Sequence, residues 1–323
     1  MSPKIIKRHI PERADLNRKF KETVFTPILI IVIFLLVIAA SLLPESVIGI
    51  NENPYLAVVV IELLTYAVPS LFYCRIRGRE FTPGLRLKLF SPSKLLYLSH
   101  ATIFMMSGIM LISMILCSVV PDAFMASSVQ TYAAFAMNER FFDVLYLIVT
   151  FAILPAVTEE FLFRGIIIGE YENRGAGVAV FMGAAMFAMS HFSITRLPVY
   201  LFSGIVLGCV LYATDSLMAS ITVHAINNAV VLLGEKYIIH IVEKQNISML
   251  IMFLILGVVV LVSGMLMCFE AGTIYRRYAE ENKPSDYAAG GKRGRFLRVA
   301  EAFFTPTFLL LVVIFIVRSV IEF

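Results

Sequence analysis

Charge is scarce in this 323-residue chain: Asp, Glu, Lys and Arg make up 15% of it, against 59% hydrophobic residues. Such a composition excludes an ordinary soluble domain. Cysteine is sparse as well. Cys74, Cys117, Cys209 and Cys268 stand singly in or beside apolar runs, without CxxC or any other metal spacing, and read as small packing residues. No GxSxG elbow and no HExxH helix signature occurs, so the common serine-hydrolase and zinc-peptidase motifs are missing. No repeat period and no low-complexity tract divides the chain.

Long uncharged runs take the place of these features. Residues 24–43 are uncharged over 20 positions, longer than a signal-peptide core, and read as a retained span. Further spans are expected at 54–74, 95–120, 144–168, a run ending at His191, 197–213, 217–233, 248–269 and 302–317. The expected fold class is therefore all-α, a polytopic membrane helical bundle of about nine transmembrane helices. Residues 1–23 form a basic tail, 24–320 one membrane domain. Residues 129–137, in a longer loop, suit an interfacial amphipathic helix.

Basic residues give the expected orientation. The amino-terminal tail carries seven Lys or Arg, the segment 75–94 six and the segment 276–298 seven, together 20 of the chain's 27. Nine alternating spans put all three segments on one side, which the positive-inside rule makes cytoplasmic. The expected location is the cell membrane, with the amino terminus inside and the carboxyl terminus outside.

The runs are interrupted by polar groups that need a reason. Glu159, Glu160 and Arg164 fall within six positions of the fourth run, where each ionisable group costs about 2.5–3.5 kcal/mol to insert. Glu160 and Arg164 stand at i and i+4 with the acid first, the favoured order for an ion pair on one helix face. Glu159 points about 100° away and has no partner within its own helix. Pro155, one turn earlier, removes a backbone donor and is expected to kink the helix beside the acid. Glu62 reads as a satisfied polar group facing the bundle, and His100 as an interfacial residue.

Two further spans carry His191 and the pair His224 and Asn228, again at i and i+4. A histidine with an amide suits donation to a developing oxyanion, and Glu159 with His191 suits holding and deprotonating a water. Together they form a minimal inventory for water-mediated amide hydrolysis.

Glu159-Glu160-x-x-x-Arg164, Phe187-x-x-x-His191 and His224-x-x-x-Asn228, in that order on successive membrane segments, resemble the three motifs of the CAAX prenyl protease 2-like group. This is the CPBP family, which includes type II CAAX endopeptidases and bacteriocin-processing or immunity proteins. The motifs span about residues 141–233. The resemblance implies a glutamate-dependent intramembrane endopeptidase acting on a membrane-associated peptide or protein. It implies Glu159 as base on water with His191 assisting, His224 and Asn228 at the oxyanion, and Glu160 and Arg164 as structural support. No cofactor is expected. The alternatives are a zinc peptidase with Glu159, His191 and His224 as ligands, and a non-catalytic immunity or membrane binding protein. Membrane lipid is an expected partner and nucleic acid is not.

Overall fold

The computed structural model describes residues 13–44, 54–78, 85–120, 141–243, 247–280 and 299–321. The expected interfacial helix at 129–137 lies outside the described residues, as does most of the basic segment 276–298. The chain is a bundle of helices with no strand among the described residues: α1 (Arg13–Ser41), α2 (Tyr55–Arg77), α3 (Leu95–Val119), α4 (Val144–Arg174), α5 (Ala176–Met189), α6 (Leu197–Thr214), α7 (Leu217–Glu243), α8 (Ile247–Glu280) and α9 (Pro306–Ile321). Six of these contain stretches long and apolar enough to cross a membrane, whereas α5, α9 and the apolar part of α7 (Leu217–Leu232) are shorter.

Two prolines shape the helices that matter. Pro69 and Pro155 each follow, two residues on, a π-helical turn, Leu63–Ala67 in α2 and Val149–Ile153 in α4. Proline offers no N–H, and its ring crowds the carbonyl four residues back. Widening the preceding turn relieves that crowding without breaking the helix. A third π-helical turn, Phe161–Ile167, follows the glutamates.

Several helix ends differ from the sequence expectation for identifiable reasons. The fourth span runs on to Arg174, because Glu170, Glu172 and Arg174 find partners instead of ending the helix. The last span is shifted to Pro306–Ile321: Thr305 caps it, its hydroxyl accepting from Phe308 N at 3.3 Å, and Pro306 occupies the first helical position. His191 lies just beyond α5, not within it.

One end of the bundle carries a collar of charges. Arg77 Nε donates to Glu170 at 2.7 Å, and Tyr73 donates to the same carboxylate at 2.8 Å. Arg86 pairs with Glu172 and, at 2.9 Å, with Asp215; Lys88 also pairs with Asp215. Lys94 donates to the Thr214 carbonyl at 2.6 Å, and Arg174 pairs with Glu301 at 2.6 Å. Burial opposes the Arg86 charge, but Glu172, Tyr212 and Asp215 outweigh it and hold its pKa above the usual arginine value. The backbone joins in, with Leu217 N bonded to the Arg86 carbonyl at 3.0 Å. The collar thus fixes the ends of α2, α4, α6 and α7 at one level.

The core above it is apolar and close-packed. α5 and α6 approach so closely that a methyl group at Gly204 would stand 2.7 Å from the Ala184 Cα, and one at Gly208 would stand 2.9 Å from Val180. Gly204-x-x-x-Gly208 is a small-residue face of the kind that lets membrane helices touch through their backbones.

Candidate active site

Glu159 and Glu160 end the α-helical stretch Leu154–Glu160, between the two π-helical turns of α4. Glu160 is fully buried, and its Oε1 accepts from Arg164 Nη1 at 2.7 Å. The same oxygen lies 2.8 Å from His224 Nδ1. A carboxylate paired with a guanidinium only accepts, so Nδ1 carries the proton in this contact, which leaves Nε2 as the ring's other nitrogen. That Nε2 faces Glu159 Oε2 at 3.8 Å. His224 therefore bridges the two carboxylates, bonded to one and presented to the other.

Arg164 is held from three directions. Besides Glu160, its Nη2 donates to the Gly204 carbonyl at 3.2 Å, and its guanidinium lies 4.6 Å from the centre of the Phe187 ring. Phe187 is the hub of the site: the rings of Phe163, His191 and His224 meet it edge-on at 5.4, 4.9 and 5.7 Å. The cation takes the electron-rich face and the rings take the geometry that suits aromatic quadrupoles.

His191 follows α5 immediately before the chain turns at Phe192, which has φ of +50°. Its Nδ1 donates to the Phe187 carbonyl at 2.9 Å, because a carbonyl can only accept, so Nε2 carries the lone pair. Tyr200 of α6 stacks on the imidazole at 3.7 Å between ring centres and orients it. Asn228, half-buried, stands one turn beyond His224 on α7. Asn227 Nδ2 donates to its Oδ1 at 3.5 Å, which turns the Asn228 oxygen to its neighbour and leaves its amide hydrogens to donate. The fold joins Glu159, Glu160, Arg164 and His224 directly and brings His191 in through Phe187. Asn228 lies one turn further along.

Residues 141–230 match a family model described as type II CAAX prenyl endopeptidase Rce1-like. The match covers 90 of the 323 residues and makes this stretch similar to that family. The family it resembles is one of peptidases, and six helices long and apolar enough to cross a membrane accord with an integral membrane protein. No curated protein and no solved structure matches the chain.

The Rce1-like stretch does not hold the whole site. Glu62 of α2 accepts a hydrogen bond from Thr158, the residue before Glu159, and stands near enough for the two carboxylates to interact. Tyr66, one turn on and buried, interacts with both carboxylates and reaches Ser190. Glu62, the one acid of its span, reads from the sequence only as a satisfied polar group facing the bundle, and Tyr66 and Tyr200 carry no signal of their own. Among the described residues no group of three or more His, Cys, Asp or Glu is placed to hold a metal ion.

Proposed function

We propose that the protein is an intramembrane endopeptidase that hydrolyses a peptide bond of a membrane-associated substrate with a water activated by Glu159. The observation that carries this reading is the position of His224, bonded to Glu160 at 2.8 Å and facing Glu159 at 3.8 Å, with all three residues buried. Glu159 takes a proton from the water as its oxygen attacks the scissile carbonyl carbon. The carbonyl oxygen becomes an oxyanion. When the C–N bond breaks, the proton held by Glu159 passes to the leaving amine, and the carboxylate is restored.

The histidines have distinct parts in this scheme. His191, fixed by Phe187 and Tyr200, aims a lone pair that accepts from the water and holds it for Glu159. Asn228 donates to the oxyanion as a neutral amide. His224 can donate there only as an imidazolium, because its other nitrogen is committed to Glu160; the buried carboxylate is placed to stabilise that charge. Glu160 and Arg164 shape the pocket and take no part in proton transfer.

Orientation belongs to the same proposal. By the positive-inside rule, the basic tail and basic loops support a cytoplasmic collar end. The experiment that tests the activity in the cell compares membrane proteins and released peptides of a deletion strain complemented with wild type or with Glu159→Ala. A peptide restored by wild type and not by an equally abundant Glu159→Ala protein supports the reading. Full restoration by Glu159→Ala favours the non-catalytic alternative.

A further inference from the structure

Two contacts from α2 reach the site without a part in the proton transfers. Glu62 accepts from the Thr158 hydroxyl, and Thr158 immediately precedes Glu159. Tyr66 stands four residues after Glu62, on the same helix face, and is buried. It interacts with Glu62 and Glu159 and reaches the side chain of Ser190, which immediately precedes His191. One helix thus holds the residue before each of the two groups set on the water. Tyr66 also lies in the π-helical turn Leu63–Ala67, a form that recurs at functional sites.

Thr158 does not need the acid for its own sake. A helical threonine returns its hydroxyl to a carbonyl three or four residues back, and Thr158 has both, Pro155 at 3.2 Å and Leu154 at 3.1 Å. Glu62 is nonetheless the nearest of its three acceptors. An acid is costly in a membrane span. Its bond to a hydroxyl that is already satisfied acts on where α4 sits, one residue before the base. The second tie runs through a shared acceptor. Ser190 Oγ donates to the Phe187 carbonyl at 2.8 Å, so toward Tyr66 it accepts and the phenol donates. The same carbonyl accepts from His191 Nδ1 at 2.9 Å, and that bond decides which nitrogen of His191 is left to meet the water.

We propose that Glu62 and Tyr66 are positioning residues of the hydrolytic site. Glu62 places Glu159 through Thr158, and Tyr66 places His191 through Ser190 and the Phe187 carbonyl. The base and the acceptor of the water are thereby registered against one helix that lies outside the Rce1-like stretch. Neither residue touches the reacting atoms. The proposal rests on the peptidase reading for what the two groups do, and on the two ties for how they are held.

The test uses the full chain in proteoliposomes, with rates for an internally quenched membrane peptide taken per folded molecule. Tyr66→Phe removes the phenol hydroxyl and keeps the ring, Glu62→Ala removes the acceptor, and Glu62→Gln keeps an oxygen for Thr158. Tyr66→Phe and Glu62→Ala are expected to lower kcat by about 10- to 100-fold with little change in KM. Glu62→Gln should recover most of the Glu62→Ala loss, and Tyr66→Phe should add nothing on a His191→Ala background. Unchanged kcat, Glu62→Gln as slow as Glu62→Ala, or a Tyr66→Phe loss that persists in full without His191 would overturn the proposal. A second readout needs no substrate. In protein labelled with nitrogen-15 histidine, the His191 ring signals, assigned by their disappearance in His191→Gln, should show one Nδ1-protonated form and shift in Tyr66→Phe. Unmoved signals would overturn the proposal. Moved signals in a protein that cleaves nothing would fail the peptidase reading and leave the placement of His191 standing.

Discussion

At the scale of single residues, the site separates groups that shape it from groups that react. Glu160 and Arg164 are desolvated together, with side chains wholly inaccessible. Removing one member of such a pair leaves the other uncompensated, at about 3–5 kcal/mol. Glu160→Gln is therefore expected to lower the thermal midpoint and the amount of folded protein in the membrane, read by a melting assay in detergent. Normal stability with lost activity would contradict this division. Asn228→Ala removes only an amide donor on a half-buried position. It should leave folding intact and lower kcat by about 100- to 1,000-fold if that amide meets the oxyanion. The spacing of Glu160 and Arg164 made their pairing legible in the sequence. The bond from His224 to Glu160 was not, because it joins residues 64 apart on different helices.

At the scale of elements, the arrangement depends on how closely α5 and α6 approach. Gly204 supplies both the close contact with Ala184 and the carbonyl that holds Arg164. Gly204→Ala places its methyl against backbone, which cannot swing aside as a side chain can. The helices must separate by several tenths of an ångström, and the Arg164 anchor moves with them. Gly204→Ala is expected to reduce stability and activity together. By contrast, Gly177→Ala, where nothing lies within 4 Å, should change neither. Parallel thermal and cleavage assays on the two variants check this; equal behaviour would remove the argument. The order and approximate ends of the helices followed from uncharged runs, since each run must hide its backbone in lipid. The π-helical turns before Pro69 and Pro155 did not follow. The sequence marks where a donor is missing, and packing decides whether the helix kinks or widens its turn.

At the scale of the whole molecule, a charged collar gathers at one end of an apolar bundle and a buried polar site sits within it. The bundle architecture was legible because composition leaves little else for such a chain to be. The second-helix contribution of Glu62 and Tyr66 was not, because it arises only when α2 packs beside α4. Metal dependence is also a property of the whole site. Exhaustive chelation is expected to leave cleavage unchanged, and a loss restored by zinc would reassign Glu159, His191 and His224 as ligands. Activity should fall at low pH, as Glu159 takes up a proton and ceases to be a base; a rate that rises continuously with acidity would contradict that role. The most direct test of the central claim is single-turnover cleavage of a reconstituted membrane peptide by wild type and Glu159→Gln. The account predicts that Glu159→Gln binds the peptide comparably and cleaves at least about 100-fold more slowly. Cleavage by Glu159→Gln at the wild-type rate would contradict it.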